Sequence, residues 1–378
     1  MRVRIGLTAV FLLALTVVVA ACGGGGSSSS SATSSGSSGS TVETESASSS
    51  SESVNVDVGN GKTVELPKGK LKIGVLPNAL SNEYTKVWAK SAEEEIEAKG
   101  GEPVLLDPNF DPVTQLNQVQ TAIQQGSINA GVIITIDGSS MCNVLSKEAP
   151  EANVLISTTV TPICGIETKP AAKESPENLW SPGTLNFVGS SSFYGFDKAW
   201  AEEAGKQNPG PQKVAVILGP ANLSQTHNFE NAVKEYSEEH PEFEILGIVN
   251  TNFTSPDVLA KTANFLQANP DTTVIMSVNS PDDTRAIVQA VKEAGLEGKL
   301  TVGDIGASKY SFEQIEKGTL QYSMPYFPKN VAKLGVDSIF EAQEGKEVPR
   351  FVDDSEFGTA EEPIAITKAN VKEHEPSF

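Results

Sequence analysis

Two rhythms of apolar and polar residues alternate along most of the chain. Short continuous apolar runs recur, each closed by Pro, Gly, Asn or Asp and followed by a stretch with apolar residues at helical spacing. Leu71, Ile73, Val75 and Leu76 form the first such run and predict a buried strand, broken by Pro77 and Asn78. Ser81 or Asn82 can then cap a helix with Val87, Trp88, Ala92 and Ile96 on its apolar side and Gly100–Gly101 as its stop. The pattern continues with a strand at Pro103–Leu106 and a helix at Pro112–Gln125. A near-continuous apolar strand, Ala130–Ile136, is followed by a short helix at Ser140–Lys147 and strands at Val154–Ile156 and Asn186–Val188. An apolar run without alternation fits a parallel sheet covered on both faces. Between the last two strands, Thr161–Ser181 is rich in Pro, Gly and charge and reads as a surface loop.

A second series of the same kind follows. Helices are expected at Phe193–Gly205, Leu223–Glu239, Asp257–Ala268, Asp282–Ala294, Phe312–Lys317 and Asn330–Gln343. Strands are expected at Lys213–Leu218, Phe243–Val249, Thr273–Val278, Leu300–Val302 and Leu320–Met324, with a last strand-like run at Pro363–Ile366. Two successive strand–helix series imply an α/β protein of two doubly wound parallel-sheet lobes, in which ligands sit beyond the carboxyl ends of the strands. The loop Pro77–Tyr84 lies at such an end and carries an amide and an aromatic ring.

The amino-terminal stretch belongs to neither series. Arg2 and Arg4 precede the apolar run Ala9–Val19, which ends in Val19-Ala20-Ala21-Cys22. This is the layout of a secretory signal over residues 1–22, too short and wrongly flanked for a lasting membrane span. Small residues just before a cysteine resemble a bacterial lipobox, and that resemblance implies that Cys22 becomes the lipid-carrying first residue of the mature chain. The Gly/Ser-rich run that follows cannot bury enough apolar surface to offset its ordering entropy, so residues 23–66 are expected to be a flexible tether.

Charge and cysteines narrow the picture further. With 28 Lys+Arg against 48 Asp+Glu, the 378-residue chain has a net charge of −20, which argues against nucleic acid and anionic lipid as partners. If Cys22 is lipidated, Cys142 and Cys164 remain, either bridged in an oxidising compartment or as two buried thiols. With no histidine near them they do not form a zinc site. His227, His240 and His374 show no metal-ligand spacing, and no cofactor motif follows any strand. Gly189-Ser190-Ser191-Ser192 lacks the second glycine of a nucleophile elbow. Asp137 and Asp304 close strands, where aspartates usually form turns, so an exported hydrolase ranks last among the functions considered.

Read together, the motifs resemble the type I periplasmic sugar-binding proteins, the ribose- and galactose-binding group of ABC-importer receptors, over about Leu71 to Val371. The resemblance is carried by I-G-V followed by Ser81, Asn82 and Tyr84, by the D-P…Q…Q-Q-G stretch from Asp111 to Gly126 before AGVIITI, and by F-V-G-S at Phe187–Ser190. FTSPDVLAKTANFLQANPDTTVIMSVNS, Thr301–Gly303, Pro325 and A-I-T-K-A-N-V complete it. It implies three crossovers between lobes, with residues 67–188 plus 324–349 in the first lobe and 189–323 plus 350–372 in the second. It also implies a monomer that closes over a small solute and presents the closed form to a permease, with a membrane contact through the lipid anchor.

Carried over position by position, the resemblance places Asn82 and Tyr84 on one side of the ligand and Phe253 and Asn279 on the other. The family's charged anchors are replaced: its aspartates fall at Thr158 or Thr159, at Ser190 or Ser191, at Ser280 and at Ile305 beside Asp304, its arginine at Gln225, and its glutamine at Ser323. Charge-assisted hydrogen bonds normally hold sugar hydroxyls. The expected site is therefore Asn82, Tyr84, Thr158, Ser191, Gln225, Phe253, Asn279 and Asp304, binding a sugar or sugar-like solute. A nucleoside, a furanosyl signal or an amino-acid-like solute is the alternative ligand, and a membrane kinase the alternative recipient of the closed form.

Overall fold

The computed structural model describes residues 52–279 and 281–378. The signal, Cys22, the tether up to residue 51 and Ser280 lie outside the described residues.

The first element is a hairpin, β1 (Ser53–Gly59) and β2 (Lys62–Pro67), paired antiparallel. It corrects the expectation that the tether runs on to residue 66. Asn60 and Gly61 both adopt positive φ, as a tight two-residue turn requires. Alternate residues Val58, Val64 and Leu66 are fully buried, and burying side chains of this size contributes about 1.5–3 kcal/mol each. Gln343 Nε2 donates to the carbonyls of Pro67 and Gly69, both at 2.7 Å, which ties the hairpin's exit to the body.

The first lobe then builds its sheet from β3 (Lys72–Leu76), α1 (Glu83–Ala98), β4 (Glu102–Leu105), α2 (Pro112–Gln124), β5 (Ala130–Ile133), the short α3 (Ala149–Glu151), β6 (Leu155–Thr159) and β7 (Asn186–Val188). Asn82 is the residue that caps α1, its side chain accepting from Thr85 N. The second lobe contributes α4 (Tyr194–Gln207), β8 (Gln212–Leu218), α5 (Ser224–Glu239), β9 (Phe243–Asn250), α6 (Ser255–Ala268), β10 (Val274–Ser277), α7 (Asp282–Glu293), β11 (Thr301–Gly306), α8 (Lys309–Lys317) and β12 (Tyr322–Pro325). The chain ends with α9 (Pro328–Gln343), β13 (Phe351–Val352) and β14 (Ile366–Thr367).

The strands form two six-stranded sheets, ordered β13-β7-β6-β5-β3-β4 and β14-β12-β11-β10-β8-β9, parallel except at the β14 edge. The chain passes between them three times: after β7, after β12 and after β13. Two of the expected boundaries move. Tyr322–Pro325 completes the second sheet, so the return to the first lobe begins with α9 rather than at residue 324. Phe351–Val352 pairs with β7 in the first sheet, so residues 350–372 do not all belong to the second lobe. The physical reason is the open edge of β7: Phe187 N donates to Arg350 O at 2.8 Å, and the Phe187 and Phe351 rings stack. Gly335 brings α9 down on the first sheet, since a Cβ there would already lie 3.2 Å from Val132 Cγ1.

The loop after β6 is pinned at its start. Cys142 and Cys164 are joined by a disulfide, and Gly138 packs so tightly under the loop that a Cβ would lie 2.0 Å from Pro162 O. Among the described residues, no helix is long and apolar enough to cross a membrane.

Candidate functional site

The carboxyl ends of both sheets face each other, and their loops meet around one small cavity of about 40 Å³. From the first lobe come Asn78, Asn82, Tyr84, Thr85, Ile134 and Val160. These follow β3, β5 and β6. From the second lobe come Leu223, Gln225, Phe253, Val278, Asn279 and Tyr326, which follow β8, β9, β10 and β12. This is where open α/β sheets bind ligands. The lobes are closed on each other: Ser224 N donates to Ile136 O at 3.1 Å, Gly138 N to Ser224 Oγ at 3.2 Å, and Glu83 N to Asp282 Oδ2 at 3.1 Å.

Two rings from the first lobe meet two from the second. Tyr84 packs edge-on against Tyr326, with centroids 5.4 Å apart, and Phe110 lies 5.9 Å from Phe253. Phe253 sits over Gly219, where a Cβ would overlap its ring at 2.0 Å. Val160 and Phe253, one on each side of the cavity, both hold left-handed backbone, at φ 63° and 58°. That conformation is costly for a β-branched or bulky residue and collects at ligand-contacting turns. Burial pushes the Tyr84 and Tyr326 phenols well above their ordinary range, with nearby Asp354 adding to both, so both remain protonated.

Among the described residues, no charged side chain lines the cavity. Its polarity comes from amides whose orientation is set from behind. Asn82 Oδ1 accepts from Thr85 N at 2.9 Å and Thr85 Oγ1 at 3.0 Å, leaving Nδ2 as the donor. Asn279 Nδ2 donates to Asp283 Oδ1 at 3.2 Å, which leaves Asn279 Oδ1 as acceptor. Gln225 Nε2 donates to Tyr326 Oη at 3.0 Å, which leaves Gln225 Oε1 as acceptor and the phenol proton free. Asn78 Oδ1 is buried and has no hydrogen-bond partner. Buried Gln115 steadies this side by donating to Pro77 O and Ile134 O and accepting from Ile136 N. Burial raises the Asp283 carboxyl to about 8, against the opposing pull of the Asn279 amide.

Of the residues expected in the site, the structure gathers Asn82, Tyr84, Gln225, Phe253 and Asn279 around the cavity. Thr158, Ser191 and Asp304 do not line it. Thr158 Oγ1 donates to Asn186 O at 2.9 Å within the first sheet. Ser191 lies buried in the turn that follows β7. Asp304 is fully buried and accepts from Thr284 Oγ1 at 2.6 Å and Ser311 Oγ at 2.8 Å, so it braces α7 and α8. Sequence reasoning missed Asn78, Tyr326 and the positioning carboxyl of Asp283. The sequence marks Asn78 only as a strand breaker. Tyr326 follows Pro325 at a strand end, which was a usable signal. Among the described residues, no three His, Cys, Asp or Glu side chains are grouped to hold a metal.

The family profile described as "Periplasmic binding protein domain" matches residues 73–347. No curated protein matches the chain. Several solved structures share its fold. One is an ABC transporter solute binding protein from Mycobacterium smegmatis with bound glycerol, 22% identical, TM-score 0.65, covering 82% of this chain and 99% of that one. Another is a periplasmic solute binding protein from Actinobacillus succinogenes with bound D-allose, 21% identical, TM-score 0.65, covering 81% and 100%. A third is the Caulobacter myo-inositol binding protein bound to myo-inositol, 20% identical, TM-score 0.68, covering 81% and 96%.

Proposed function

This chain belongs to the family of periplasmic binding protein domains, and from that premise we propose that it is the extracytoplasmic receptor of an ABC importer, taking a neutral polyhydroxyl solute, a sugar or polyol, into the cleft between its lobes. One observation carries the ligand class. The cavity presents neutral acceptors, Asn78 Oδ1, Gln225 Oε1 and Asn279 Oδ1, beside neutral donors, the Asn82 Nδ2 amide and the Tyr326 phenol. Neutral donors and acceptors side by side suit a ligand of hydroxyls, which both donate and accept. With no lining charge, an ionic ligand would have no counter-ion in the site. The flanking Tyr84 and Phe253 rings suit the apolar face of a sugar or cyclitol ring.

At about 40 Å³ the closed cavity holds only a few waters and lies far below the roughly 300 Å³ at which small-molecule pockets begin. Ligand entry therefore requires the lobes to part along the three crossovers and the Phe253 ring to give way. Closure over the solute then presents both lobes in one orientation to the permease. The tether and a lipid on Cys22 would hold this monomeric receptor close to that permease. A less hydroxylated neutral solute is the second reading, favoured by the replacement of most of the charged anchors that the resemblance implies.

A thermal-shift screen of sugars, polyols, nucleosides and amino acids tests the proposal. A neutral polyol or sugar at about 100 times its Kd should add about 2.7 kcal/mol to stability, without being consumed. Phe253→Ala should weaken that ligand at least about tenfold if the ring stacks on it. Stabilisation only by a charged solute, or turnover of a glycoside or ester, would refute the reading.

A further inference from the structure

A second cavity, of about 130 Å³, lies where the disulfide-anchored loop of the first lobe meets α4 and α5 of the second. Glu167, Asp197 and Glu235 all line it, against the single cation Lys173. Lys173 is already committed: its Nζ contacts both oxygens of Glu235, at 2.7 and 2.6 Å, and lies 4.3 Å over the Tyr194 ring. Neither of the other two carboxyls is paired with Lys173. Asp197 is only 5% exposed and makes no hydrogen bond, although it sits at the start of a long helix. Glu167 Oε2 is buried and likewise makes no hydrogen bond. Burial raises both carboxyls; at Glu167 its own backbone N–H and Lys169 pull the other way, while Asp137 adds to the rise. A buried carboxylate without hydrogen bonds costs several kcal/mol as an ion; Asp197 is such a group, and the unpartnered Oε2 of half-buried Glu167 faces the same enclosed polar space.

We propose that this cavity is a binding site for a small organic ammonium ion, held between Asp197 and Glu167. An ammonium group supplies both the charge and the N–H donors that the two carboxyls lack. Asn228 and Asn231 of α5 offer amide oxygens beside them. The site differs from the interlobe cleft, whose lining carries no charge, and the inference does not rest on the reading of that cleft. Because its walls come from both lobes, an occupant adds its binding energy to the closed arrangement. It therefore tightens the cleft ligand by the same factor by which that ligand tightens it.

The test is isothermal titration of the full chain at pH 7.5 with ethylammonium and ethanolammonium chloride, with glycerol and sodium chloride as neutral and ionic controls. Saturable ammonium binding is expected, weakened about tenfold or more in Asp197→Asn. Glu167→Gln should weaken it as well and guards against a folding defect in the first variant, with circular dichroism checking both. Absence of saturable binding, wild-type affinity in both acid variants, or preference for glycerol would each overturn the proposal.

Discussion

Asp354 joins two of the three crossovers, and its carboxyl should make the stability of the hinge depend on pH. It follows β13, is 3% exposed, and accepts from the backbone N–H of Ser190, which follows β7, at 2.6 Å. Burial raises the carboxyl from 3.8 to about 6, and the Ser190 N–H pulls in the opposite direction without cancelling it. The folded protein thus holds this proton more tightly than the unfolded chain does. Its contribution to stability is complete below about pH 4 and is lost as pH rises through about 6. At about 1.4 kcal/mol per pH unit, the rise from 3.8 to about 6 amounts to about 3 kcal/mol. Asp354→Asn keeps an acceptor for Ser190 N and nearly the same shape but cannot ionise. The variant should match the wild type near pH 4 and exceed it by up to about 3 kcal/mol at pH 7.5. Urea unfolding followed by tryptophan fluorescence measures this, because Trp88 and Trp200 are fully buried in the first and second lobes. Other raised carboxyls, such as Asp197 and Asp283, impose the same slope on both proteins, so the difference isolates Asp354. A difference that stays constant with pH, or one that turns against the variant as pH rises, would refute the reasoning.

Other outcomes follow from the packing. Leu66→Ala should cost about 2–5 kcal/mol in urea unfolding, because Leu66 is fully buried in the hairpin; a tether residue would cost nothing. Replacing Cys142 and Cys164 with Ser should lower stability by about 3 kcal/mol, and a reducing agent should do the same to the wild type only. Gly138→Ala should destabilise by about 1–3 kcal/mol, since the new Cβ would meet Pro162 O, a backbone atom two residues from the disulfide; an unchanged midpoint would mean that the loop yields freely.

The strand–helix alternation was readable from local pattern alone. Apolar runs such as Leu71–Leu76 and Lys213–Leu218 became central strands, and the Asn82 cap and the Gly100 stop framed α1. The hairpin was readable too, since Val-Asp-Val-Gly-Asn-Gly places Asn-Gly after alternating valines, but its serine-rich approach hid it. These features depend on neighbours a few residues apart, which sequence displays directly. What only the tertiary structure decided depends on partners far along the chain. The two-residue β13 exists because the edge of β7, some 165 residues earlier, is open to Arg350 and Phe351. The Gln225 amide is oriented by Tyr326, 101 residues away, and Asp304 is drawn out of the cleft by Thr284 and Ser311. Chain order identifies which residues stand at strand ends. Whether a polar group at such an end faces the ligand or is consumed by the scaffold is settled by the hydrogen bonds it finds after folding.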